Sequence, residues 1–495
     1  MAPKRRNSVS SASSVNEKKV NSNLVVQQKQ SWGNLGESKG IPMPAFLRNT
    51  FFPLVLMAVT FPLAFTLVYA NETHFLKSGV NGSVLGLIDN IITTRGGFVI
   101  EAFNKTMPAF GSQLMWDVLR MLGSFMAFQL ALMKLMPGRL HKGPVSPTGH
   151  VPVYIANGFQ CYVASLSAYL LVVHIFKIVS AAEILRLYPH ALATMSVVSL
   201  VFCLFLYIKG LYFPSGTDHG SSNNPVMDYY WGTELYPRIF GWDVKVFTNC
   251  RFGLMLWAIL PIAFMGATVE LGCPWTYAQV INTVLQLIYV AKFFAWETGY
   301  FSTIDIMHDR AGYYICWGCL VWVPSVYVVH SHYLAHQVLL AHTTRNGSFF
   351  DFDIVQATLC LIAGVLMIYV NYDADLQRPY VREMDGKCEI WGKPATFLRA
   401  TYTTEEGEKR SSILVTCGWW GVSRHFHYLP EILASVFWTL PCGFSNAMPW
   451  FYVVFLTILL LDRAFRDDAR CAAKYGKSWD EYKKLVPWRI LPGIV

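Results

Sequence analysis

Three arginines at intervals of three and four, Arg463, Arg466 and Arg470, surround the carboxylate pair Asp467-Asp468 near the end of this chain. On a helix that spacing places the guanidiniums on one face, where their fork geometry suits a multiply phosphorylated ligand. Arg378 and Arg382, four apart in an earlier polar segment, could complete such a phosphate clamp. Between the two groups runs Gly418-Trp419-Trp420-Gly421-Val422-Ser423-Arg424-His425-Phe426-His427-Tyr428. Its glycines permit close backbone approach, and its flat rings offer faces and hydrogen bonds to a nicotinamide or adenine. No Gly-x-Gly-x-x-Gly follows a strand, so a dinucleotide bound here is not held in a Rossmann site. The competing reading of the basic run is a cytosolic flank that stops membrane transfer.

The elements that must position these groups are membrane helices. With 54% hydrophobic and 14% charged residues in 495, the chain has too little polar material to coat a soluble globule. Apolar stretches near the ~20 residues that cross a bilayer occur at 50–70, 115–136, 155–178, 191–212, 252–270, 276–295, 313–333, 354–372 and 447–461, and a shorter one follows Pro430. The expectation is an all-α polytopic membrane protein of about ten spans. Residues 1–45, basic and serine-rich, read as a disordered cytosolic tail; 46–372 as membrane helices with their loops; and 373–495 as a cytosolic C-terminal ligand-binding region with the last spans. The start of the chain shows no short apolar core with a cleavage site, so the first span is expected to serve as targeting signal. Basic ends place both termini in the cytosol, which requires an even number of crossings. Sequons at Asn71, Asn81, Asn104 and Asn346 then fall in outer loops. The net charge of +9 sits on the cytosolic flanks and suits anionic headgroups and nucleotide phosphates; it does not imply nucleic acid.

Two further clusters carry ionisable groups. Asn223 to Val244 crowds carboxylates, aromatics and Arg238 around glycine and proline turns, as in a loop packed on the membrane surface. Trp296 to Arg310 holds Glu297, Thr298, Asp305, His308 and Asp309 between two apolar spans, where uncompensated charge costs a few kcal/mol per group. These five are candidates for a substrate pocket, with a structural network joining the sixth and seventh spans as the alternative. His330, His332 and His336 have no carboxylate at short spacing and read as wetted histidines at the lumenal edge of a span, so no metal site is assigned. The eleven cysteines sit mostly in apolar spans as buried thiols, and Cys316-Trp-Gly-Cys319 reads as packing. Residues 401–414 alternate enough for a small hairpin around Glu406-Gly407.

The C-terminal stretch, from the paired leucines through Arg463-x-x-Arg466-Asp467, Cys471, Lys474-Tyr475-Gly476, Trp479, Tyr482 and Val486-Pro487-Trp488, resembles the signature of the sterol reductases. Trp296-Glu-x-Gly-Tyr300, Asp305-Ile-x-His-Asp-Arg-Ala-Gly312 and Trp317-Gly-Cys-Leu-Val-Trp-Val-Pro324 are most similar to its delta-7 branch, the plant-type members above all. The resemblance runs from about residue 45 to the end. It implies NADPH-dependent reduction of the C7–C8 double bond of delta-5,7 sterols in the endoplasmic reticulum membrane. The sterol is drawn from the bilayer, membrane lipids surround the protein, and other sterol-pathway enzymes are candidate partners. It further implies proton delivery by Tyr289 and Asp467, and NADPH contacts at Arg378, Arg382, Val415, Trp420, His427, Tyr428, Asp467, Cys471, Ala472, Ala473, Lys474, Tyr475 and Tyr482. A sister reductase acting on the C14–C15 or C24(28) bond, or a non-catalytic sterol-binding protein of the same fold, are the alternatives.

Overall fold

In the computed structural model, residues 44–494 are described, except 78, 147, 345–350 and 404–408. The expected tail up to residue 43, the sequon at Asn346 and the Glu406-Gly407 turn lie outside them. Among the described residues nine helices are long and apolar enough to cross a membrane. They are α1 (Leu47–Thr73), α2 (Gln113–Leu135), α3 (Gly158–Ile175), α4 (Ala181–Tyr212), α5 (Val246–Glu270), α6 (Tyr277–Ala295), α7 (Tyr313–Thr343), α8 (Ile354–Glu383) and α10 (Met448–Tyr475). The apolar segment after Pro430 lies on α9 (Tyr428–Thr439), whose 12 residues span only about 18 Å of an about 30 Å hydrocarbon layer. Pro441, in the 3₁₀ turn that follows, cannot continue the α-helix.

The chain still passes between the two ends of the bundle across α9. His425, just before it, faces Asp467 at the C-terminal end of α10, whereas Asn446, just after it, donates to the Gly82 carbonyl at 2.9 Å, beyond the far end of α1. Among the described residues, the segment between His425 and Asn446 therefore runs from one end of the bundle to the other through a short helix.

α7 is the most enclosed of the long helices. Its first ten residues, Tyr313–Trp322, wind as a widened π-helix, as do Val246–Gly253 at the start of α5. The two wide turns pack closely because Gly253 has no side chain: a Cβ there would meet the Cys319 carbonyl oxygen at 2.6 Å. Arg251, on that turn, is fully buried. It is paired with Glu297 at 2.5 Å and donates to Asn157 Oδ1 at 2.7 Å, while Glu297 also accepts the Gly158 N–H at 2.8 Å. Three elements are tied at one point, and removing either charge would leave the other buried and unpaired.

The loop at 223–244 is equally tied down. Asp228 accepts from Ser221 and from both the N–H and the hydroxyl of Ser222, and Glu234 accepts from Lys209 and the Ser215 N–H. The strands β1 (Phe397–Thr403) and β2 (Lys409–Val415) pair antiparallel in the register Phe397 to Val415, so the hairpin begins four residues before the sequence pattern suggests. Ala400 and Leu414 from it pack on Trp479 and Tyr482 of α11 (Lys477–Leu485). All eleven cysteines are free.

Candidate active site

Tyr289 lies on α6 inside a box of rings. Its centroid is 5.2 Å from Trp257 of α5 and 5.4 Å from Trp438 of α9, and Trp257 in turn meets Tyr327 edge-on at 5.0 Å. Tyr452 of α10 stacks on Trp438 at 6.1 Å. Rings at these separations pack directly on one another as an apolar cluster, and each buried phenol needs a polar partner. The Tyr289 hydroxyl donates to Glu431 Oε1 at 3.0 Å. Glu431 lies in the first turn of α9, three residues after Tyr428, so both sit on one helical face. Beside them Lys292 pairs with Asp375 at 3.0 Å and also donates to Asn371, whose amide donates to the His427 carbonyl at 2.8 Å.

From α9 the polar line continues to Asp467. The His425 ring stacks on Tyr428 at 5.3 Å with an interplanar angle of 7°, and His425 Nε2 is 3.5 Å from Asp467 Oδ2. Arg470 pairs with the other Asp467 oxygen, and the Cys471 thiol is 3.7 Å from Oδ2. The adjacent Asp468 is used differently: it accepts from Trp479 and Arg489 at 3.2 Å each and lies 3.4 Å from Arg424, which ties down the chain end. Asp467 faces the histidines; Asp468 faces the fold. Burial holds His425 down at about 4, with Arg378 and Arg424 acting in the same direction against Asp467. Burial likewise keeps His427 well below the ordinary imidazole value. Both rings are therefore neutral at physiological pH.

Arg378 lies over Trp420 at 4.5 Å, and His427 approaches the same indole at 5.1 Å. Gly418 makes this arrangement possible. It has φ +57°, and a Cβ there would come 2.1 Å from Gln377 Oε1, the atom that accepts the Trp419 N–H. Arg382 is bound through Nε to the Ile413 carbonyl, and the Val415 carbonyl accepts the Tyr482 hydroxyl at 3.0 Å. Burial pushes Tyr482 up to about 12, although Arg378, Arg424 and Arg382 all oppose this. The Lys474 ammonium lies 4.1 Å over Tyr402 of the hairpin.

Arg378, Trp420, His425, His427, Tyr428 and Asp467 are thus assembled on adjacent surfaces. Cys471 and Tyr475 follow Asp467 at offsets of four and eight and pack beside the hairpin cluster. Ala472 and Ala473, rotated about 100° and 200° further around α10 from Cys471, are exposed and do not share that face. The expected three-arginine clamp is also corrected: Arg463 pairs with Asp305 at 2.7 Å, Arg466 with Asp462 at 2.8 Å, and Arg470 with Asp467. Aspartates three and four residues away on the same helix neutralise two of them.

The cluster between α6 and α7 divides. Both Glu297 oxygens are consumed by Arg251 and Gly158, so Glu297 is a structural anchor and not a substrate contact. Thr298, half-buried, follows it on the short turn Glu297–Tyr300. Asp305 holds Arg463. Burial, helped by Arg470 and Lys245, lowers His308 to about 4, so this imidazole is neutral beside the basic end of α10. Asp309 is buried with Oδ2 unpartnered, and burial together with Asp305 raises its carboxyl to about 7. The histidines of α7 also differ from expectation. His330 and His332 are fully buried, and a carboxylate reaches His332 and His336 from α1, distant in sequence.

Comparison with known proteins matches residues 99–495 to one family profile. The chain belongs to the ergosterol biosynthesis ERG4/ERG24 family. It is 48% identical to the 7-dehydrocholesterol reductase of Arabidopsis thaliana, over 74% of this chain and 83% of that protein. It is 32% identical to the 7-dehydrocholesterol reductase of Danio rerio, covering 77% and 80%. The Delta(14)-sterol reductase of Methylotuvimicrobium alcaliphilum is 32% identical over 77% and 83%. This member of the ERG4/ERG24 family is a multi-pass membrane oxidoreductase, and a nicotinamide cofactor fits that class.

The residues that sequence reasoning passed over are Glu431, Lys292 and the rings around Tyr289. Glu431 had a usable signal: it is a lone carboxylate in an apolar run. Trp257, Trp438 and Tyr452 come from three helices and had none.

Proposed function

We propose that this protein is a sterol delta-7 reductase of the endoplasmic reticulum membrane, with both termini cytosolic, that uses NADPH to reduce the C7–C8 bond of delta-5,7 sterols. The observation that carries the reading is the polar line Tyr289, Glu431, Tyr428, His425, Asp467, which joins a ring-lined apolar box to a basic, aromatic surface. The similarity to 7-dehydrocholesterol reductases supports the choice of bond.

The residues of 373–495 fit the cofactor. His427 Nδ1 is buried without a partner, Trp420 and Tyr428 present rings beside it, and the Arg378 and Arg382 cations stand close by for phosphates. When bound there, NADPH supplies hydride to carbon 7. The protein supplies the proton and excludes water. Protonation at carbon 8 of a 5,7-diene leaves an allylic cation over carbons 7 and 5, which the neighbouring aromatic rings would stabilise. Tyr289, the hydroxyl in that box, is the proton donor, and Glu431 holds it in place. Asp467 orients His425 and anchors the cofactor side. Asp305, His308 and Asp309 line the approach between the two. The flat sterol enters from the bilayer.

The test is incubation of membranes from a host lacking delta-7 reductase activity with 7-dehydrocholesterol and NADPH, against an NADH control. Conversion with NADPH is expected, and both Tyr289→Phe and Asp467→Asn should lower it. Unchanged turnover in both variants would overturn these roles. The similarity to Delta(14)-sterol reductases supports a second reading, C14–C15 reduction. Sterol profiling in hosts lacking each activity separates the two: the accumulated intermediate that disappears names the bond.

A further inference from the structure

At the opposite end of α7 from Asp305, three donor atoms converge. His332 Nε2 and His336 Nε2 are 3.1 Å apart, and Glu72 Oε1 of α1 lies 3.8 Å from the first and 3.9 Å from the second. A triangle with these sides has a circumradius of about 2.1 Å, the bond length of Zn²⁺ to imidazole nitrogen and carboxylate oxygen. The two histidines are four residues apart on one helix, so they share a face, and packing fixes the inner one: the His332 ring meets Tyr188 at 5.0 Å and Phe264 at 5.3 Å. His332 Nδ1 lies 3.3 Å from the amide of buried Asn71, whose Oδ1 has no partner. Turning that amide over would give up its long bond to the Val329 carbonyl, at 3.4 Å, and bring the unused oxygen to the imidazole N–H, the outer contact a metal-bound histidine requires. The same burial takes Asn71 out of reach as a glycosylation site.

We infer that Glu72, His332 and His336 form a binding site for a Zn²⁺-class divalent cation, separate from the reductase site. The site lies at the far end of the bundle from Asp467: Glu72 closes α1 at the end where Asn446 reaches Gly82, whereas His425, on the other side of α9, reaches Asp467. A cleft of about 390 Å³, lined by Glu72, Glu183, Leu185, Arg186, Leu271 and His336, opens beside it. It leaves a fourth coordination position for water or an exogenous ligand. The ion would clamp the end of α1 to α7. Glu72 precedes residue 99, where the family match begins, so the complete ligand set falls partly outside the matched region. Without metal, the cluster is an N–H···N hydrogen bond between two imidazoles, with the carboxylate beside it.

The full chain, purified in detergent and stripped with chelator, is dialysed against Zn²⁺ or Co²⁺ alone. One Zn²⁺ per chain is expected, with the ligand-field absorption of low-coordinate Co²⁺. Glu72→Gln and His336→Ala should each weaken binding at least about tenfold, and Asn71→Leu by about tenfold, with sterol turnover retained. His336→Cys keeps a ligand and should add a thiolate-to-Co²⁺ charge-transfer band, a readout that lost folding cannot produce. Absence of stoichiometric metal, or uptake unchanged in Glu72→Gln and His336→Ala, overturns the site.

Discussion

Glu431 sits in the first turn of α9 against Tyr289. Its carboxyl receives the Tyr289 hydroxyl at 3.0 Å at the centre of the aromatic box, and Lys292 is held beside them by Asp375 and Asn371. Glu431→Gln keeps the shape and an acceptor oxygen but removes the charge. A hydrogen bond to a charged group is worth about 1.5–3 kcal/mol and one to a neutral group about 0.5–1.5 kcal/mol, so the change at the reacting group corresponds to a roughly 5- to 15-fold fall in kcat/KM. Tyr289→Phe removes the donor itself and should cost about 10²- to 10⁴-fold, the range of general acid catalysis. Because the two act as a unit, the double variant should fall little further than Tyr289→Phe alone. The assay is conversion of 7-dehydrocholesterol in membranes, read by gas chromatography, with the amount of folded protein checked for each variant. Full additivity in the double variant, or Glu431→Gln within twofold of wild type, would refute the claim that Glu431 positions the proton donor.

Other consequences follow from the surrounding geometry. Arg378→Ala should raise the KM for NADPH about tenfold or more while leaving the sterol KM unchanged, as steady-state kinetics with each substrate varied will reveal. Arg251→Met should destabilise the protein by about 3–5 kcal/mol, because Glu297 would be left buried and unpaired, and melting of the detergent-solubilised protein measures this. Asp309, raised to about 7 by burial and by Asp305, favours folding below the ordinary carboxylate value, and that contribution is lost as pH rises through about 7. The melting temperature of Asp309→Asn should therefore gain on the wild type between pH 5 and pH 8, by the equivalent of about 1–3 kcal/mol, and a constant difference would contradict the assignment. Gly418→Ala should disturb Trp419 and Trp420 and weaken NADPH binding, because the new Cβ collides with Gln377.

Much of this protein could be read from residue order alone. Runs of apolar residues near the length of a bilayer crossing must become helices there, because lipid offers backbone groups no other partner. Among the described residues α9 falls short of that length, since Pro441 cannot continue it as an α-helix. Local periodicity also placed the hairpin to within four residues and put Arg463, Arg466 and Arg470 on one helix. It could not decide which charges cancel. Arg466 and Arg470 were credited to a ligand, and the fold gives them to Asp462 and Asp467; Glu297 was credited to a substrate, and the fold gives it to Arg251. The box around Tyr289 and the Glu72 cluster combine residues from helices far apart in sequence. Sequence by itself determined the class of the molecule and the identity of its chemical groups, because helix formation and membrane insertion depend on near neighbours. Tertiary structure alone decided their partners, since burial makes each charge and each phenol take whatever distant residue the packing brings within about 3 Å.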